Sequence, residues 1–270
     1  MALGVSAKAQ AAEMAAFKAV GKKLGGQPIV SPAGFDAGFP DFAYRVTLAS
    51  GSKIDLHFEY KADNKAQMGS MRDWIFDGTR FVTHDTKSES KQELIAIMNA
   101  TPEALKNGKR LLDDLKKHFH KDVKALYSGS LTVISGKDER KIMTREFMNA
   151  TANYQVAQIQ DPSLGNKIID HYKNKFKKNL KSGSQGSILF MMLKDTVWMV
   201  DTSGRISPAE MTEVAKMMGL NSIDKMSGLK AKLEVRIQPR GMNSPAKPAS
   251  IDVMASFRLN GAPAGGGKVI

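Results

Sequence analysis

The stretch Lys53-Ile54-Asp55-Leu56-His57-Phe58-Glu59-Tyr60-Lys61 alternates between apolar and polar side chains from its second residue to its last. A period of two belongs to a β-strand, whose successive side chains point to opposite faces, and it cannot give a helix one clean apolar face. Residues 42–49 alternate as well, with Phe42, Tyr44, Val46 and Leu48 on one side and Ala43, Arg45 and Thr47 on the other. Ser50-Gly51-Ser52 between them has turn composition, so the two segments form a β-hairpin. Ile54, Leu56, Phe58 and Tyr60 supply a face for the core. Asp55, His57, Glu59 and Lys61 line the opposite face, a row that a plain solvated strand would also show.

Two features set that row apart. Pro40-Asp41 opens the hairpin, and folding about Gly51 returns Asp41 opposite residues 60–62, beside Glu59 and Lys61. Two carboxylates converging on one spot suit a hard divalent cation. Lys61, on the same face, can orient or activate a water and steady a phosphate. Residues 6–24 form a helix with Ala9, Ala12, Ala16, Phe17, Val20 and Leu24 on one face, and Glu13 falls inside that face. A glutamate there is costly unless it is paired or bound to metal.

The order of these parts resembles the PD-(D/E)xK nuclease superfamily over roughly residues 6–75: a helix with an acid (Glu13), a Gly/Ser/Pro loop, Pro40-Asp41 opening a strand, a hairpin, then Glu59-Tyr60-Lys61. The layout is most similar to archaeal Holliday-junction resolvases and restriction-endonuclease-like proteins. That resemblance implies a restriction-endonuclease-like mixed central sheet flanked by helices. It implies Asp41 and Glu59 as Mg2+ ligands (with Mn2+ as a substitute), Glu13 as an additional ligand, Lys61 as the catalytic lysine and Gln67 as a further polar site residue. Other acid-x-Lys triplets occur at Asp63/Lys65, Asp114/Lys116, Asp122/Lys124 and Glu139/Lys141, but none has a Pro-Asp partner across a hairpin.

The rest of the chain is read as mixed α/β. Extended segments are expected at 27–30, 79–84, 130–135, 188–201 (a hairpin turning near Lys194-Asp195), 229–238 and 250–259, the last two paired. Helices are expected at 89–120 with a break near Thr101-Pro102, at 144–160, at 164–181, and at 207–218 with Ser207 as cap. Residues 64–75 read as a short helix or loop, and 261–270 as a Gly-rich tail. The chain divides on this reading into a nuclease core, 1–100, and a basic α/β extension, 101–270.

Charge supports that division. Residues 1–100 hold 12 Lys and Arg against 11 Asp and Glu, whereas 101–270 hold 28 against 16, within a formal net charge of +13. Such an excess favours a polyanionic partner through phosphate contacts and counterion release. The helix carrying His171, Tyr172 and Phe176 also carries Lys173, Lys175, Lys177, Lys178 and Lys181, which are expected to follow a DNA backbone while Tyr172, Phe176 and Leu180 pack inward. The absence of cysteine excludes disulfides, zinc-thiolate sites and thiol nucleophiles, and fits an intracellular, cytoplasmic setting. No apolar run is long enough to span a bilayer. His118 and His120 point apart on a helix and read as a solvated end, and the 16 methionines read as core filler.

The function expected is a magnesium-dependent DNA endonuclease. The restriction type is favoured because residues 101–270 offer a recognition part, and a homodimer would cut both strands. A structure-specific nuclease such as a junction resolvase is the alternative within the class. A non-catalytic nucleic-acid-binding protein, with a purely structural acidic hairpin face, is the alternative from outside it.

Overall fold

The computed structural model describes residues 5–32, 40–61, 67–68, 74–83, 87–118, 157–177, 181–193, 196–220, 230–240 and 250–260. Among them are two sheets and five helices, a mixed α/β arrangement. The chain separates into two compact units. The first is 1–66, 162–231 and 259–270; the second is 67–161 and 232–258. The boundary expected at residue 100 falls inside the second unit.

The first unit is built on a five-stranded sheet. Its strands are β1 (Gln27–Val30), β2 (Phe42–Thr47), β3 (Lys53–Lys61), β8 (Gly186–Leu193) and β9 (Thr196–Asp201), in spatial order β1-β2-β3-β8-β9. β2 and β3 are the expected hairpin, in register Phe42↔Phe58 to Thr47↔Lys53. Gly51 turns it at φ 84°, a left-handed conformation that suits glycine. β8 and β9 are the second expected hairpin, and β8 lies parallel to β3 with Glu59 beside Met191. β3 is therefore the central strand of a mixed sheet.

Helices α1 (Val5–Leu24) and α5 (Pro208–Met217) cover one face of this sheet. Ala16, Val20 and Leu24 from α1 and Val214, Ala215 and Met218 from the α5 end share one core with Phe42, Tyr44, Ile54, Leu56, Phe58, Phe190 and Met199. Phe42, Phe58 and Phe190 stack in line across three strands, at centroid spacings of 4.9 and 4.8 Å. Ser207 caps α5 and Pro208 follows it, as the sequence leads one to expect, and Glu210 completes a capping box. The opposite face of the sheet is covered by α4 (Ser163–Lys177), whose Tyr172 and Phe176 reach Glu59 and His57.

The second unit holds α2 (Glu89–Asn99) and α3 (Pro102–His118) beside a six-stranded sheet. Its strands run β6 (Phe81–Thr83), β5 (Trp74–Phe76), β11 (Ser250–Asn260), β10 (Lys230–Arg240) and β7 (Ala157–Ile159), with β4 (Gln67–Met68) also on β11. β10 and β11 are neighbours, as expected. The Asn99 side chain ties α2 to β6 by accepting from the Phe81 N–H and donating to the Phe81 carbonyl. At Gly108 on α3, a Cβ would lie 2.8 Å from the Phe76 ring, so a bare backbone is required there.

Two expectations need correction. Residues 67–68 and 74–76 are strands, not part of a helix or loop, and 157–159 is a strand, not the end of a helix. All three are short and gain their hydrogen bonds from β6, β10 and β11, which lie far away in sequence or beyond a turn, so local pattern did not reveal them. The expected strand at 130–135, residues 144–156 of the expected helix and the tail 261–270 lie outside the described residues. Among the described residues no helix is long and apolar enough to cross a membrane.

Candidate active site

The polar row of β3 is not a solvated face. Asp55, His57 and Glu59 are only 0, 2 and 8% exposed, and α4 lies over the last two. Each buried polar group therefore needs its own account. Asp55 receives two hydrogen bonds from the Arg45 guanidinium across the hairpin, at 2.7 and 3.1 Å, while Arg45 also donates to the Ser182 and Lys181 carbonyls. His57 packs on the Phe176 ring at 5.2 Å, and burial holds its pKa down at about 4, so it is neutral at physiological pH. These two residues anchor the strand.

The C-terminal end of β3 differs. Asp41, just ahead of β2, accepts a 2.7 Å bond from the Tyr60 N–H, which ties it to the β3 end. The Lys61 ammonium donates to Glu59 Oε1 at 2.7 Å and lies 3.5 Å from Asp41 Oδ2. The expected convergence of Asp41, Glu59 and Lys61 is thus present, placed by hairpin register and the alternation of β3.

Charge in this cluster is unevenly distributed. Burial and the adjacent Glu59 raise the Asp41 pKa to about 7, against the pull of Lys61 and the Tyr60 N–H. Burial also pushes Glu59 up, but the Lys61 and Lys175 charges and the hydrogen bonds from Lys61 and Tyr172 outweigh it, leaving Glu59 below its ordinary value. Burial works against the Lys61 charge, yet Glu59 and Asp41 hold its pKa above the usual lysine value. At neutral pH, Glu59 and Lys61 are charged and Asp41 is poised between its two states.

Glu13, on α1, is half-buried; burial raises its pKa, Lys61 lowers it and Glu59 raises it, so its charge acts on the same cluster. It does not join Asp41 and Glu59 as a third grouped carboxylate: among the described residues no set of three or more His, Cys, Asp or Glu is arranged to hold a metal ion. Asp41 and Glu59 nevertheless offer hard oxygen donors only, which is the chemistry Mg2+ requires. Gln67 lies on β4 in the second unit, its backbone paired with Arg258; its side chain is outside the described residues.

The lysines expected on DNA separate. Lys173 pairs with Asp170 at 3.7 Å, and Lys181 is exposed. Lys175 lies over the Phe176 and Tyr172 rings, 5.0 and 5.7 Å from their centroids, and its charge reaches Glu59. The Lys177 side chain and all of Lys178 and Leu180 lie outside the described residues. Tyr172 is the site residue that sequence reasoning read only as core: its hydroxyl donates to Glu59 Oε1 at 3.4 Å. Its spacing to Lys175 and Phe176 marks one helix face, but nothing in it points to β3.

No protein-family model, no curated protein and no solved structure matches the chain.

Proposed function

We propose that the protein is a metal-dependent nuclease, a phosphodiester hydrolase of the PD-(D/E)xK kind with DNA as its substrate. The observation that carries this reading is the part-buried convergence of Asp41, Glu59 and Lys61 at the end of the central strand, with Glu13 adding negative charge. Three acids act on Lys61 there, Lys175 acts on Glu59 as well, and partly desolvated carboxylates drawn to one spot suit a divalent cation. The mixed sheet flanked by helices is compatible with a restriction-endonuclease-like fold.

Asp41 and Glu59 would hold Mg2+, and Glu13 would add to the field that attracts it. When bound, the metal would supply Lewis acidity and lower the pKa of a bound water. Lys61 is kept protonated by its two carboxylate neighbours, so its part is electrostatic: it donates to an oxygen of the phosphate or of the attacking water and keeps it in line. The Tyr60 N–H and the Tyr172 hydroxyl keep the two carboxylates from turning away.

The test is cleavage of supercoiled, linear and four-way-junction DNA with magnesium and with EDTA. Discrete cuts in linear DNA support the restriction type, and junction-selective cuts support a resolvase. Lys61→Ala should fold, as judged by circular dichroism, and lose cleavage by about 10²-fold or more. Full magnesium-dependent activity in this variant, or none in the unaltered protein, would sink the reading.

A further inference from the structure

Side chains alternate along β3, so Glu59 and Lys61 leave the strand on one face, and the hairpin brings Asp41 to the same place. The Lys61 side chain folds back to this meeting point. Its ammonium donates to Glu59 Oε1 at 2.7 Å and lies 3.5 Å from Asp41 Oδ2, so one cation already spans the two carboxylates. The side chain is only 17% exposed, which withdraws it from competing water. Each of those two oxygens also accepts from a second donor: Asp41 Oδ2 from the Tyr60 backbone N–H, and Glu59 Oε1 from the hydroxyl of the buried Tyr172.

We infer that Lys61 fills the cation position of its own site: its ammonium must leave Asp41 and Glu59 before Mg2+ can be held between them, and only then is it available to a phosphate. This rests on the nuclease reading and deepens it, by giving the site a built-in order of metal first and substrate second. A hard divalent cation needs carboxylate oxygens, and the ammonium already holds one from each acid. Two cations side by side also repel strongly where water is scarce. The ammonium is the weaker competitor, a single charge on a flexible stem, and it can turn away without any movement of β3. The Tyr60 N–H and the Tyr172 hydroxyl stay on the carboxylates when it goes, so the two acids keep their placement. The lysine needed at the phosphate is in this way held back by the acids until the metal takes its place.

Isothermal titration calorimetry with Mn2+, on the full chain and without DNA, tests this. Lys61→Met keeps the length of the side chain and removes the charge; Lys61→Arg keeps the charge and can pair with both carboxylates. Lys61→Met should bind Mn2+ about 10-fold more tightly than the unaltered protein although it loses cleavage, and Lys61→Arg should bind no more tightly than the unaltered protein. Equal or weaker binding by Lys61→Met would overturn the inference, as would binding by Lys61→Arg as tight as that by Lys61→Met. A second measurement uses the unaltered protein and needs no variant to fold. Acylation of Lys61 by an amine-reactive ester, read by peptide mass spectrometry, should be slow in EDTA and rise several-fold when Mg2+ is added. An unchanged rate would show that the ammonium stays on the carboxylates and would sink the inference, while magnesium-dependent cleavage by the same protein would leave the nuclease reading standing. Absence of both Mn2+ binding and cleavage in the unaltered protein overturns both readings together.

Discussion

At Asp41, burial and the neighbouring Glu59 keep a proton bound up to a pH of about 7, well above the ordinary 3.8 for an aspartate. The folded protein therefore holds this proton more tightly than the unfolded chain does. Its contribution to stability is fully present below about pH 3.8 and is lost as pH rises through about 7, so above that the charged carboxylate weakens the fold. Asp41→Asn should raise the melting temperature of the metal-free protein at pH 8 by roughly 2–4 °C, because the amide oxygen can still accept from the Tyr60 N–H. The same variant should lose magnesium-dependent cleavage. The magnesium concentration needed for half-maximal cleavage by the unaltered protein should fall as pH rises through about 7, because the proton on Asp41 competes with the metal. A melting temperature that drops at pH 8 would show that the Asp41 charge is compensated in the metal-free state. On the function proposed, Asp41 would give up stability for chemistry, a recurrent trade in enzymes.

The strand β3 shows what one element could reveal in advance and what it could not. Its alternation, the turn at Gly51 and the return of Asp41 are local, so the hairpin and the Asp41–Glu59–Lys61 meeting were legible from residues 41–61. The cover over its polar row was not. Glu59 and Tyr172 are separated by 113 residues, and no local period encodes a contact at that range. Asp55 and His57 therefore read only as members of a polar row, when burial makes them struts: one holds Arg45, the other a phenylalanine ring. The parallel pairing of β3 with β8 was hidden for the same reason, although the β8–β9 hairpin was visible in its own sequence. The Arg45–Asp55 pair carries an expectation of its own. Arg45→Met leaves a fully buried carboxylate without its guanidinium and should cost about 3 kcal/mol in urea unfolding, while Arg45→Met with Asp55→Leu should cost clearly less. Equal losses in the single and double variants would mean that Arg45 acts through its bonds to the Ser182 and Lys181 carbonyls instead.

Across the whole chain, the formal net charge of +13 sets how a polyanion would be met. Association with duplex DNA in EDTA should weaken steeply as salt rises, log K falling linearly with log salt by about 0.9 for each phosphate contacted. Fluorescence anisotropy with a labelled duplex measures that slope. A slope near zero would mean that the excess lysines serve solubility, not a nucleic acid. The second unit was the less legible half of the molecule, since its sheet takes strands from both ends of a stretch that runs from 67 to 260. The way the chain is routed also bears on any attempt to dissect the protein. It leaves the first unit after β3 and returns to it only at α4, with β8 and β9 still to come. An expression fragment ending at residue 100 would carry Asp41, Glu59 and Lys61 but omit the neighbour of β3 and the helix above it. Its central strand would become a bare edge with acids uncovered, a template for aggregation. The recombinant piece that could bear the chemistry must keep residues 162–231 with residues 5–61, which favours joining them by an engineered linker over simple truncation.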